Sequence, residues 1–162
     1  MTEEIDLTSL PYTDQLKKIH DAEYDDVDFE YFCSSVSRNP YCIIVKNEDD
    51  IVMGFLIWGY DIDFLDDECG TIVYIYSLCV GSKWRRRGIG SELLTHLTSL
   101  YGYGNDVCLH VSIKNDNAIS LYTKHKFKNV RRIDHYYDGL TTGMYSGEGQ
   151  HAYYMKRSHR DL

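Results

Sequence analysis

Several common signatures are missing from this sequence, and each absence removes a class of protein. Only 2 of the 162 residues are proline, so no Pro-rich linker and no collagen-like repeat divides the chain. The apolar stretches Ile51 to Trp58 and Ile72 to Ile75 fall well short of the roughly 18 residues that a membrane-spanning helix needs, and no membrane anchor is expected. Met1 to Asp14 carries Glu3, Glu4 and Asp6 without a basic n-region or an apolar h-region. It does not read as a signal peptide, so the expected compartment is the cytoplasm, with the nucleus also open. The cysteines at 33, 42, 69, 79 and 108 form no CxxC or CxxxC pair, the pattern of buried thiols in a reducing compartment. The histidines at 20, 96, 125, 135, 151 and 159 show no metal spacing, and Cys108 with His110 lacks any complement, so no metal site is expected. A Walker A loop, a GxGxxG fingerprint and a Gx[SC]xG nucleophile elbow are also missing, which disfavours nucleotide-triphosphate, dinucleotide and acyl-enzyme chemistry.

What remains is a chain of 18.9 kDa with 43% apolar residues and 15 tyrosines, a size and composition that predict one domain over 1–162. Its charge is divided by region. Residues 1–70 hold 18 of the 25 acids and 4 of the 17 Lys and Arg, a balance of −14, whereas 71–162 hold 7 and 13, a balance of +6. Such a division suits an anionic ligand on the C-terminal half and a cationic one near the acidic segments. Direct nucleic-acid binding is not expected, because the net charge is −8 and no recognisable nucleic-acid-binding motif accompanies the basic residues.

Hydrophobic periodicity orders the elements. A short strand is expected near Ile5 to Leu7, helices over Tyr12 to Tyr24 and Phe29 to Val36, and strands over Tyr41 to Val45 and Ile51 to Trp58 around a polar turn. Thr71 to Val80 reads as a strand that places Tyr74, Tyr76 and Leu78 on one face. The period then changes to 3.6: Ile89, Leu93, Leu94, Leu97 and Leu100 mark a helix, ended by Gly102 and Gly104 through positive φ. Asp106 to Ser112 alternates, with His110 on its more polar side. Asn115 is expected to cap a helix through Tyr122, and strands near Lys128 to Tyr136 and Gln150 to Lys156 finish the chain. The order βααβββαβαββ predicts an α/β (α+β) fold, a mixed central sheet with packed helices.

The sharpest local signal is Arg85-Arg86-Arg87-Gly88-Ile89-Gly90, between a strand and an apolar-periodic helix. Glycines permit a tight turn and close backbone approach. The amides of the first helical turn point outward, and the helix dipole favours negative charge there, so this segment suits a diphosphate, with Ser91 adding a hydroxyl.

With these pieces in place, the sequence resembles the GNAT superfamily of acetyl-CoA-dependent N-acetyltransferases, whose pyrophosphate loop is written [RQ]xxGx[GA]. Tyr74 to Val80, Leu109-His110-Val111, Asn115 to Tyr122 and Tyr136-Tyr137 narrow the resemblance to the eukaryotic protein N-terminal acetyltransferases of NatE and NatF type. The resemblance implies the GNAT acyl-CoA N-acyltransferase fold and transfer of acetyl from acetyl-CoA to the N-terminal α-amine of a protein or peptide, with a larger N-terminal acetyltransferase complex as partner. It further implies a cofactor site of Leu78, Cys79, Val80, Arg85, Arg86, Arg87, Gly88, Ile89, Gly90, Ser91, Asn115 and Tyr122. By the same resemblance Tyr74 and His110 take the amine proton through a water, Tyr122 protonates the leaving thiolate, and Tyr136 and Tyr137 clamp the peptide backbone. The family's first-loop Pro is absent here; Tyr24, Val27, Phe29 or Tyr31 are expected to supply the hydrophobic wall, while Asp25, Asp26 and Asp28 steer a cationic substrate. A small-molecule amine acetyltransferase and an inactive acyl-CoA-binding module are the alternatives. Independently of the resemblance, a protonated amine cannot attack a thioester, so a base is required, and histidine has the intrinsic pKa nearest neutrality.

Overall fold

The computed structural model describes residues 1–7, 11–24, 28–36, 40–62, 70–138 and 150–161. In chain order the elements are β1 (Thr2–Asp6), α1 (Thr13–Asp21), α2 (Phe29–Ser35), β2 (Tyr41–Lys46), β3 (Val52–Ile62), β4 (Thr71–Val80), α3 (Ile89–Tyr101), β5 (Val107–Ser112), α4 (Asp116–Lys124), β6 (Lys128–Ile133) and β7 (Ala152–Arg157). The strands form one seven-stranded sheet in the order β1-β2-β3-β4-β5-β7-β6. It is mixed: β4 and β5 run parallel and all other neighbours antiparallel. The expected element order and the mixed sheet are therefore observed, and among the described residues no helix is long and apolar enough to cross a membrane.

Each face of the sheet buries a separate apolar layer, because alternate residues of the central strands point to opposite sides. On one face α3 inserts Leu93, Leu94 and Leu97 among Ile43, Leu56 and Leu109. On the other, α1 and α2 bring Leu16 and Phe29 against Ile44, Phe55 and Ile57. Local chemistry fixes the helix starts. Asp28 accepts from the amides of Glu30 and Tyr31 at 2.9 and 3.1 Å, and Asn115 accepts from Ala118 at 3.1 Å, side-chain caps that satisfy otherwise orphaned donors. The helix end at Gly102 differs from expectation. Its φ is −75°, and it is needed for space, since a Cβ there would lie 2.5 Å from the Thr98 carbonyl; Gly104 alone takes the positive φ.

Two irregularities in β4 shape the centre of the molecule. Ile57 pairs with Ser77 and Trp58 with Ile75, so Tyr76 is an extra residue, a β-bulge. The bulge resets the alternation. Ile75 and Leu78 join the α3 side, while Tyr74 and Tyr76, with ring centroids 5.0 Å apart, share the other side. This corrects the expectation that Tyr74, Tyr76 and Leu78 share a face, which assumed an unbroken period of two. The second irregularity is the β4–β5 ladder, which holds only Val73↔Val107, Tyr74↔Cys108 and Ile75↔Leu109. Past these pairs the two parallel strands part.

Candidate active site

Where β4 and β5 part, neighbouring strands carry a phenol and an imidazole within reach of each other. Tyr74 sits on the last paired stretch of β4 and His110 one residue past it on β5, and the Tyr74 hydroxyl is hydrogen-bonded to His110 Nδ1. Tyr136 lays its ring over the imidazole at 4.1 Å between centroids and 11° between planes, and its hydroxyl comes within 3.4 Å of that of Tyr74. Burial pushes the Tyr74 phenol far above its ordinary range, with the nearby Tyr136 adding to the shift. Tyr74 therefore keeps its proton and does not ionise to serve as a base; through its hydrogen bond with Nδ1 it can relay a proton. Burial raises Tyr136 as well, opposed by its contact with the Tyr74 hydroxyl.

The parting of the strands opens a cleft of about 200 Å3. Ile75, Tyr76, Ser77 and Leu78 line it from β4, Leu109 to Ser112 from β5, and Ala118, Leu121 and Tyr122 from α4, with Asn115 at the helix cap. His20, Tyr24 and Phe32 close it from the N-terminal helices, and Tyr137 completes the wall. Leu78, His110, Asn115, Tyr122, Tyr24 and Tyr137, singled out in the sequence, thus meet in one cleft, which Tyr74 and Tyr136 adjoin through His110. Tyr31 does not join them: it stands 70% exposed on α2, outside the cleft lining. Phe29 is buried in the core under α2, while Val27, Asp25 and Asp26 lie outside the described residues. Asp28 is engaged as the cap of α2 and in an ion pair with Lys17 at 2.8 Å.

Cys79 turns its side chain into the core between the sheet and the α1–α2 layer, 3% exposed and 3.4 Å from the Ser77 hydroxyl. Burial pushes its thiol up to about 11, so it offers no thiolate to a thioester. His20 and Phe32 are cleft residues that sequence reasoning missed. His20 is 1% exposed, with ring contacts to Tyr24 at 4.7 Å and Phe32 at 5.2 Å, and burial lowers its pKa against the opposing pull of Asp21. Its spacing of four from Leu16 places it on the inward stripe of α1, the signal that could have found it.

The loop before α3 is built as its glycines suggested. Gly88 stands at the N-cap of α3 at φ +87° and offers no side-chain acceptor, so the first-turn amides of Ile89, Gly90 and Ser91 receive no side-chain cap from it. A Cβ on Gly90 would lie 3.0 Å from Leu121 Cδ2 and 3.7 Å from Leu78 Cδ2, so the helix start is pressed against the end of the cleft. Arg86, at φ +61°, is exposed; Arg87 stacks over Trp84 at 5.2 Å. Arg85 donates from Nε to the Val80 carbonyl at 3.1 Å and pairs with Glu23. These residues fit acetyl-CoA: amide donors and cationic side chains for a diphosphate, a strand edge past Ile75 that no β5 residue pairs for an extended amide arm, and a cleft lined by His110 and Tyr122, with Tyr74 hydrogen-bonded to His110. Among the described residues no three His, Cys, Asp or Glu side chains gather to hold a metal ion.

The family model described as the Acetyltransferase (GNAT) family matches residues 6–127. An N-alpha-acetyltransferase of Sulfurisphaera tokodaii is 28% identical over 154 residues, covering 88% of this chain and 84% of that protein. Mouse cysteine-rich protein 2-binding protein is 37% identical over 83 residues, 51% of this chain, and the match spans 10% of that protein's length. Among solved structures, Arabidopsis thaliana Naa50 in complex with the bisubstrate analogue CoA-Ac-MVNAL superposes with a TM-score of 0.68 at 22% identity, covering 97% of this chain and 98% of that one. The splayed strands, the helix start without a side-chain cap and the family match over most of the sequence agree: the chain belongs to the GNAT acetyltransferase family and uses acetyl-CoA as its acetyl donor.

Proposed function

We propose that the acceptor is the N-terminal α-amine of a protein or peptide, acetylated by direct attack within a ternary complex. The observation that carries this reading is the joining of the Tyr74–His110 pair to an acceptor wall of His20, Tyr24, Phe32 and Tyr137, aromatic surface suited to a side chain and a backbone end. The name of the Sulfurisphaera relative and the peptide portion of the analogue bound by Arabidopsis Naa50 support it. Acetyl-CoA supplies an acetyl group activated as a thioester. The protein must deprotonate the attacking ammonium: its proton passes through a water to Tyr74, whose own hydroxyl proton moves to His110 Nδ1. Tyr122, 7% exposed on α4, returns a proton to the departing sulfur. Backbone donors near Leu78, at the bulged strand, steady the carbonyl oxygen where negative charge develops. Tyr136 and Tyr137 hold the peptide backbone, and the cytoplasm is the compartment in which we place this activity.

The test is a panel of short peptides with free or blocked N-termini alongside spermidine, with the acetyl group located by tandem mass spectrometry. The reading expects α-amine acetylation of the free peptides only. Exclusive turnover of spermidine would replace the peptide acceptor by a small diamine, and acetyl-CoA binding without transfer to any amine would leave a binding module.

A further inference from the structure

Glu23 and Arg85 join two parts of the active site that the chemistry above treats as separate. Arg85 leaves the turn after β4, and two contacts hold it: its Nε donates to the Val80 carbonyl at 3.1 Å, and its guanidinium pairs with the Glu23 carboxylate. Glu23 lies in the turn that closes α1, where its own amide and that of Tyr24 donate to the His20 carbonyl at 2.8 and 2.9 Å. His20 and Tyr24 line the acceptor side of the cleft; Glu23 does not. The two segments lie close at this junction, where a Cβ added to Gly81 would come to 3.7 Å from Ile19 Cγ1. One guanidinium therefore bridges the strand and loop of the acetyl-CoA site and the turn that carries the acceptor wall.

We propose that Glu23 is a positioning residue: through Arg85 it ties the acceptor wall to the diphosphate loop, so that filling the acetyl-CoA site fixes the acceptor pocket. The proposal rests on the acetyltransferase reading, with the amine entering beside His20 and Tyr24. Side-chain exposures of 48% for Arg85 and 26% for Glu23 give such a pair little weight in global stability. Its effect is geometric, because it links two short connecting segments that would otherwise move independently. The link is reciprocal by thermodynamic necessity: acetyl-CoA tightens the acceptor and the acceptor tightens acetyl-CoA by the same factor. It is also electrostatic, so it weakens as salt shortens the Debye length.

The test is a mutant cycle in the full chain with Glu23→Gln, Arg85→Gln and the double variant. Amide exchange at Glu23 and Tyr24 is read first, because it needs no turnover. Acetyl-CoA should slow exchange about fivefold in the wild type and less than about twofold in E23Q, while E23Q binds acetyl-CoA with a Kd within about threefold of wild type. At saturating acetyl-CoA, E23Q should raise the acceptor KM about fivefold with kcat nearly unchanged, R85Q should raise that KM by about the same factor, and the double variant should raise it no further than R85Q alone. Equal protection in wild type and E23Q, no protection in the wild type, or KM effects that multiply to about 25-fold would each overturn the proposal. If the wild type binds acetyl-CoA yet acetylates no amine, the transfer reading fails while the exchange experiment still decides the strut.

Discussion

In the mechanism proposed for this site, Tyr74 and His110 divide one task, because neither residue suffices as its surroundings leave it. The phenol is held protonated by burial, so it passes protons on, and the imidazole behind it is the group that can keep one. His110→Ala should lower kcat by about 100-fold or more while the acetyl-CoA Kd stays within about twofold, read by steady-state kinetics and calorimetry. Equal loss of acetyl-CoA binding would assign His110 to the donor site instead. His20 makes a different prediction. Burial lowers its folded pKa below the ordinary 6.5, so the unfolded chain takes up a proton that the folded chain resists. Stability linked to His20 is therefore lost as pH falls through the unfolded value of 6.5. Urea denaturation should show the wild type weakening between pH 7 and pH 5, with a shallower slope in His20→Phe.

The order of strands and helices was legible because each central strand is an apolar run bounded by polar turns. The limits of β4, Thr71–Val80, coincide with those read from the sequence. The bulge at Tyr76 was not legible, since β4 buries residues on both faces and offers no polar alternation for an extra residue to interrupt. The splay was implied by the family resemblance and not by the residues themselves, because the length over which β4 and β5 pair is a property of both strands and their covering helices. Most candidate site residues were visible as motif residues on the right elements; the partners that complete the cleft, His20 and Phe32, come from helices distant in sequence and carry no motif. The glycine loop was readable because its demand is local. Gly90→Val should weaken acetyl-CoA binding by about tenfold while the thermal unfolding profile keeps its cooperativity, since the added methyls meet the flexible Leu121 side chain at the cleft end. An unchanged Kd would detach the α3 start from the diphosphate.

At the scale of the whole molecule, a minority of the acids in the N-terminal half are matched by internal partners among the described residues. Glu3 and Asp50 pair with Lys46, Asp28 with Lys17, and Glu23 with Arg85. The acids at 25, 26, 63 and 66–68 lie outside the described residues, so Asp28 is the member of the proposed steering cluster that the structure accounts for, as a cap. At the far end of the sheet Asp106 fastens the C-terminal turn. Its carboxylate accepts from Lys156 at 2.8 Å and from the His159 amide and ring at 2.9 and 2.7 Å. Burial alone would raise its pKa, but these hydrogen bonds outweigh it and leave the value at about 2. A depressed carboxyl stabilises above its unfolded pKa near 3.9 and loses that contribution as pH falls through about 2. Asp106→Asn should therefore cost about 2 kcal/mol at pH 7 in chemical denaturation, and the difference from wild type should shrink towards pH 2.

The whole account turns on where the donor and acceptor meet, and a crystal structure with a CoA–acetyl–peptide bisubstrate analogue tests that most directly. The account predicts the diphosphate on the amides of Ile89, Gly90 and Ser91, the acetyl group beside Leu78 between Tyr74 and Tyr122, and the first peptide residue against His20, Tyr24 and Phe32. A diphosphate bound away from the start of α3, or a peptide that leaves the cleft between β4 and β5 empty, would contradict it.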